Sequence, residues 1–427
     1  MITQISKLTQ GRVKFNGIIE TIRDKKTMQF IVVKDFSDKI QLFIDKIQFP
    51  EIAEIFSKLV PGSTVKVEGE LIENEHVKLG GREVKVDKVE ITSYAETNPI
   101  DEKSTIDCKL DYRWLYLRTD KNQLMFKIQT LFVNSCRNFL IEKDFIEIHS
   151  PKLIATASES GSEVFEVKYF DTSAYLAQSP QFYKQMAIAG GLGRIFECGP
   201  VFRAEKSHSR KHAPEFTGFD LEFSNIDSYE DVMAMEEEML NAALKEVDEK
   251  YGKQIKEVYG VDIIVPTLPF PRMKLNDVYT ELEERYNYIC PEEEKDDLTT
   301  EGEKLLKKLA KDKYNHEFIF VTDFGPRKRA FYHLRKNGIP QGYDLIWKGV
   351  EITTGAQREH RYEILKKQAE EKGLAKDVDF YLQFFKYGCP PHGGFGIGID
   401  RITMNLLELA SIKESMFLFR GPERLTP

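Results

Sequence analysis

Residues Ile195–Phe223 read IFECGPVFRAEKSHSRKHAPEFTGFDLEF, and they decide what kind of domain to expect. IFECGPVF is strongly apolar, as a buried strand is, and Arg203 and Glu205 close the run two residues apart, so on a strand they share a face. KSHSRKHAPEF follows as a polar loop with three basic residues and two histidines. TGFDLEF then returns as a second strand, with Asp220 and Glu222 again on one face. Such a hairpin presents Arg, Glu, His, Phe and two further carboxylates together, which suits a polyanion bound beside a cationic or hydroxylated group. A structural ion pair between Arg203 and Glu205 suits the same residues, and the stretch alone leaves both open.

Further along, HGGFGIGIDR (His392–Arg401) sets four glycines before an Arg at the start of the expected helix ITMNLLELA. No Lys follows the glycines and no GxGxxG occurs, so neither a P-loop nor a dinucleotide fingerprint is present. Glycines still let a ligand or another backbone come close. Arg401 near a helix start can meet a phosphate with its fork and with the helix dipole behind it. DLIWKGVEITTGAQREH places Asp344, Glu351 and Thr354 about one strand-like stretch, hard oxygen donors that suit Mg2+ as well as they suit an ordinary acidic strand edge. Upstream, LMFKIQTLFVNSCRNFLIEK reads as a long amphipathic helix and FIEIHSP as a strand. Hairpin-like turns rather than regular βα alternation predict an α+β domain on an antiparallel sheet.

The first hundred residues have another texture. VKFNGIIETI, MQFIVVKD, KIQLFI, STVKVEGEL and EVKVDKVEI are short Val/Ile/Phe-rich strands, and FPEIAEIFSKLV between the third and fourth has helical spacing. That order fits a five-stranded OB-fold barrel and also other small β-barrels. The expected division is residues 1–95 as barrel, 96–120 as a polar linker, and 121–427 as the larger domain, with about 245–335 read as an insertion of mixed structure.

A chain of 427 residues is long enough for two domains. The net charge of −8 excludes a generally basic coat for non-specific nucleic-acid binding but allows local basic patches. Five scattered cysteines with no CxxC pair read as free thiols, and no stretch approaches the roughly 18 apolar residues of a membrane span. A soluble, cytoplasmic protein is expected.

Together the clusters resemble the class II aminoacyl-tRNA synthetases. FRAEKSHSRKHAPEF is similar to their motif 2, GFGIGIDR to motif 3, and the long helix with FIEIHSP and Pro151 to the dimer-forming motif 1. The N-terminal barrel implies the aspartyl, asparaginyl and lysyl subgroup. QSPQFYKQ, TASESGSEVFEVKYF, GAQREHRYE and the terminal RLTP resemble the aspartyl enzymes of archaeal and eukaryotic type. The resemblance implies an α+β class II catalytic domain, flanked by helices, that joins L-aspartate to tRNA(Asp), alone or with tRNA(Asn), through an aspartyl-adenylate, as a homodimer using ATP and Mg2+.

Residue by residue, the resemblance implies that Arg203 contacts the α-phosphate and Arg401 the γ-phosphate, with Glu205 and His212 around the nucleotide and Phe216 stacked on adenine. Lys184 and Arg358 would face the substrate's side-chain carboxylate, Glu159 its ammonium, and Gln181 and Asp220 would line the same pocket. Asp344, Glu351 and Thr354 would hold Mg2+. In the barrel Phe30 would stack on an anticodon base, with Arg23 and Gln41 as polar readers. A Lys plus Arg pocket disfavours a neutral carboxamide, which cannot pair the buried charge. Thr353, Thr354 and Ala356 stand where relatives often have Ser, Ser and Gly, and Glu20 where they more often carry an aromatic or His. The alternatives are an asparaginyl-tRNA synthetase, an asparagine synthetase using ammonia on the same core, and an inert paralogue.

Overall fold

Val13, Phe15 and Ile19 are buried while Arg12, Lys14 and Asn16, alternating with them, are exposed, so β1 (Gly11–Asp24) has one face for a core and one for solvent. The same logic builds β2 (Met28–Lys34), β3 (Lys39–Asp45), β4 (Thr64–Glu73) and β5 (Arg82–Ser93), with α1 (Pro50–Ser57) between β3 and β4. The five strands close into a barrel in the order β1-β2-β3-β5-β4 around Phe15, Ile31, Leu42, Phe56, Val65 and Val84, as the strand order predicted. The computed structural model describes residues 2–156, 164–206 and 209–427 and divides into two compact units, Met1–Leu115 and Tyr116–Pro427.

The stretch read as a structureless linker carries two short helices, α2 (Ile106–Asp111) and α3 (Arg113–Tyr116). Thr105 caps α2 by accepting from the Cys108 N–H. Helices of six and four residues complete too few turns to leave a periodic signature.

In the second unit α4 (Asp120–Glu142) leads to β6 (Ile146–Glu147). The expected strand FIEIHSP is cut to those two residues because Ser150 turns away: its N–H and Oγ donate to the Glu197 carboxylate, at 3.1 and 2.6 Å. β7 (Leu153–Ile154), β8 (Glu166–Tyr169) and β9 (Thr172–Leu176) form a small sheet. Next come α5 (Gln181–Ala189), β10 (Arg194–Phe202), β11 (Glu215–Ser224) and α6 (Tyr229–Tyr259). A capping box of Ser228 and Asp231 starts α6, and Gly260, with φ of 72°, stops it.

The remaining elements are β12 (Arg272–Lys274), α7 (Leu275–Tyr286), α8 (Thr300–Tyr314), β13 (Phe318–Thr322), the pair β14 (Arg335–Lys336) and β15 (Ile339–Pro340), β16 (Gly342–Trp347), β17 (Val350–Gln357), α9 (Tyr362–Glu371), α10 (Asp379–Leu382), β18 (His392–Gly398), α11 (Ile399–Leu406) and α12 (Ile412–Ser415). Eight strands make the main sheet, in the order β12-β13-β16-β17-β18-β11-β10-β6. Its interior pairings are antiparallel, and only the outermost, β12 with β13 and β6 with β10, are parallel.

Residues 245–335, read as an insertion of mixed structure, do hold both helices and strands. They supply β12 and β13 to the main sheet, and α7 and α8 cover it through Val278, Leu282, Leu306 and Leu309, which pack with Ile319 and Val321. The charged outer faces of the two helices hide this apolar stripe in the sequence.

Candidate active site

β10 and β11 form the anticipated hairpin, with the ladder running from Arg194↔Phe223 to Phe202↔Glu215. β10 ends at Phe202, one residue short of Arg203, so Arg203 and Glu205 do not share a strand face as expected. The Arg203 N–H still donates to the Pro214 carbonyl at 2.7 Å, and both side chains line one cavity of about 350 Å3. Its wall also includes Gln181, Lys184, His212, Phe216, Asp220, Glu351, Thr354, Arg358 and Arg401. Glu159 lies outside the described residues.

One end of the cavity is built for a polyanion. The Arg203 guanidinium sits 5.5 Å from the centre of the Phe216 ring, and its buried Nε has no hydrogen-bond partner. Arg401, third residue of α11, donates to the carbonyls of Glu351 at 2.9 Å and Lys211 at 3.4 Å. Those contacts orient the guanidinium without neutralising it; the Glu351 carboxylate is 4.0 Å away. Burial, and next the charge of Arg401, hold the His212 ring below its usual pKa and therefore neutral. Lys211, which sequence reasoning left unassigned, ties the loop to α8 through Glu303 at 2.5 Å.

Another part of the wall holds buried cations. Lys184 is 2% and Arg358 3% exposed, and both reach Glu222, which is fully buried. Lys184 Nζ lies 3.2 Å from Asp220 Oδ1 and 3.3 Å from Glu222 Oε2, while Arg358 donates to both Glu222 oxygens and, at 2.8 Å, to the Gly394 carbonyl. Burial alone would push the Glu222 carboxyl up, but Arg358 and then Lys184 outweigh it and hold it below its usual range. Asp220 and Glu222 thus share a face as the two-residue spacing predicted, and Glu222, not assigned a role from sequence, is the carboxylate that fixes both cations.

β18 makes room for them. A Cβ at Gly394 would stand 2.1 Å from the Leu221 carbonyl and 2.5 Å from Glu222 Oε2, and one at Gly396 would stand 2.8 Å from Asp220 Oδ1. The glycine run therefore admits two carboxylates beside the sheet. On α5, buried Gln185 ties the lining residue Gln181 to its surroundings: it accepts from Gln181 at 2.7 Å and from Tyr381 at 2.9 Å, and its amide meets His392 Nε2 at 2.9 Å. Gln185 and His392 lie in stretches singled out from the sequence, QSPQFYKQ and HGGFGIGIDR, but neither was assigned a role there.

The three expected metal donors do meet. β16 and β17 turn at Lys348 and Gly349, both with positive φ, which brings Asp344 opposite Thr354. Thr354 Oγ1 lies 2.9 Å from Asp344 Oδ1 and 3.3 Å from Glu351 Oε1. Asp344, however, has both oxygens on the Arg329 fork at 2.7 and 2.5 Å, so the expected three-donor set is reduced. Among the described residues no group of three or more His, Cys, Asp or Glu is placed to hold a metal. Glu351 is surrounded by protein while 37% of its side chain stays open, and burial followed by Asp344 pushes its carboxyl up to about 7. A hard oxygen beside a like charge fits a cation that arrives with most of its ligands, not an all-protein cage.

On the barrel, the structure brings the three proposed readers together. Arg23 pairs with Phe30 across β1 and β2, with its guanidinium 5.8 Å from the ring centre, and donates to Gln41 Oε1 at 3.0 Å. The Gln41 amide donates to Glu83 at 2.9 Å, so both ends of this side chain are engaged. Glu20 accepts from Lys34 and Lys39.

Residues 105–420 match the family of class II tRNA synthetases (D, K and N), and residues 13–92 match the OB-fold nucleic acid binding domain. The chain is 40% identical to an aspartate–tRNA(Asp/Asn) ligase of Aeropyrum pernix, over all of this chain and 98% of that one. It is 37% identical to an aspartate–tRNA(Asp) ligase of Pyrococcus abyssi, over 99% and 97%. Among solved structures, an asparaginyl-tRNA synthetase of Pyrococcus horikoshii complexed with asparaginyl-adenylate superposes with a TM-score of 0.91 at 29% identity, covering all of both chains. An aspartyl tRNA synthetase of Entamoeba histolytica gives 0.87 at 29%, covering all of this chain and 93% of that one.

Proposed function

As the chain belongs to the class II tRNA synthetases of the D, K and N group, we propose that it activates L-aspartate with ATP and passes the aspartyl group to tRNA(Asp) through an aspartyl-adenylate. The observation that carries this reading is the buried pair Lys184 and Arg358, two cations in the cavity wall that share Glu222, with Asp220 also on Lys184. A ligand that enters there needs a negative side chain, since a neutral amide leaves the desolvated charge poorly paired. The aspartate–tRNA ligases of Aeropyrum pernix and Pyrococcus abyssi named above resemble this chain at full length.

In the first step the substrate's α-carboxylate attacks the α-phosphorus and pyrophosphate leaves, so no protein base is needed. Catalysis is then placement and charge stabilisation. Arg203 is the group for the α-phosphate, its guanidinium lining the cavity beside the Phe216 ring. Arg401 is held on carbonyls and faces the γ-phosphate, and Glu205 and His212 frame the nucleotide while Phe216 stacks on adenine. Asp220 and Gln181, with Glu159, receive the substrate around its ammonium. Mg2+ bound at Glu351, with Thr354 beside it and Asp344 behind, would offset charge on the phosphates. In the second step the 3′-terminal ribose hydroxyl of the tRNA takes the aspartyl group. The barrel reads the anticodon with Phe30 as a stacking platform and Arg23 and Gln41 as polar readers. A homodimer formed through α4 and the segment to Pro151, and a cytoplasmic location, complete the reading.

Charging of purified aspartate and asparagine tRNAs with labelled aspartate and labelled asparagine tests it. Aspartyl transfer to tRNA(Asp), with or without tRNA(Asn), is the expected result. Transfer of asparagine in preference to aspartate would overturn it.

A further inference from the structure

His333 has no part in the site as described so far, yet its surroundings are specific. Its backbone forms an isolated antiparallel bridge with Arg358, and residues directly opposite in such a bridge put their side chains on one face. The ring is 3% exposed and lines the cavity. It packs on Gly342 so closely that a Cβ there would stand 2.8 Å from Nδ1. Nδ1 is buried without a hydrogen-bond partner. With Nδ1 packed against Gly342 and buried, Nε2 is the ring nitrogen left to meet a ligand in the cavity.

Burial, then the charges of Arg358, Arg329 and Lys184, hold the ring well below its usual pKa, so it carries one proton. That proton has two seats. On Nδ1 it would make a buried donor with nothing to receive it, a costlier orphan than a bare lone pair. On Nε2 it is offered to whatever fills the cavity beside Arg358.

We propose that His333 is a specificity-determining residue for the substrate's side-chain carboxylate, its Nε2–H completing with Lys184 and Arg358 a wall made only of donors. The proposal rests on the reading of this site as one that activates aspartate. A carboxylate accepts from all three groups. A carboxamide turns its NH2 toward at least one donor, and the shift of tautomer that would relieve the conflict moves the proton to Nδ1, where no acceptor stands. Glu222 offers no escape, because Arg358 and Lys184 already hold its oxygens.

ATP–pyrophosphate exchange by the full-length enzyme, with aspartate and with asparagine, separates the possibilities. His333→Leu is expected to raise KM for aspartate roughly tenfold and to leave KM for ATP within about twofold. In His333→Gln the amide can present either an N–H or a carbonyl. This variant is expected to keep KM for aspartate within roughly threefold while its preference for aspartate over asparagine falls about tenfold. Unchanged aspartate KM and unchanged preference in both variants overturn the proposal. So does a joint loss of aspartate and ATP kinetics with a lowered melting temperature in both, which marks a structural residue. Wild-type enzyme that fails to activate aspartate removes the underlying reading itself, and is seen before any variant is compared.

Discussion

Glu236, on α6, is fully buried, and its Oε2 accepts from the Tyr343 hydroxyl at 2.7 Å. Burial pushes its carboxyl from an ordinary 4.5 up to about 8, so the folded protein holds a proton there that the unfolded chain releases. Stability from this group is therefore complete below about pH 4.5 and is lost as pH rises through about 8, at a slope approaching ~1.4 kcal/mol per pH unit. Glu236→Gln is expected to flatten the fall of melting temperature between pH 5 and 8 relative to wild type, measured by calorimetry across buffers; parallel curves would refute it. Glu236 also marks the limit of what single residues disclose. Asp220 and Glu222 could be placed on one face from their spacing, and Lys184 and Arg358 could be matched to a carboxylate, but that Glu222 clamps both cations follows from a contact spanning 136 residues. Arg329 was invisible for the same reason: its partner Asp344 is 15 positions away across irregular chain.

At the scale of the element, β18 is the strand whose composition most constrains the site. Gly394→Ala would drive a methyl group against the Leu221 carbonyl and the Glu222 carboxylate. The expected cost is about 1–3 kcal/mol of stability by urea unfolding, with a raised KM for aspartate as Glu222 is displaced from Arg358. Normal folding with unaltered kinetics would show that the close approach is dispensable. Elements with a strong period were legible: the barrel strands, α4, the β10–β11 hairpin and the passage from β18 into α11. Those that failed lacked a period of their own. α2 and α3 are too short, β6 is curtailed by Ser150 and Glu197, and α7 and α8 hide a narrow apolar stripe beneath charge.

For the whole molecule, the proposed function assigns reading of the anticodon to the first of the two units and activation of the amino acid to the second. Phe30→Ala is expected to lower kcat/KM for tRNA(Asp) about five- to hundredfold, in line with roughly 1–3 kcal/mol per stacked base, while ATP–pyrophosphate exchange is unaffected. Equal loss in both assays would contradict that assignment. The acidic total of −8 revealed nothing of this, because charge summed over a chain does not report where the cations stand. The main sheet has one more consequence, for how the protein behaves in a crowded solution. Its outermost strands, Ile146–Glu147 and Arg272–Lys274, are two and three residues long, and the second carries two cations. Edge strands this short, the second of them cationic, give neighbouring molecules little strand to zip onto, which disfavours aggregation by strand addition at these borders.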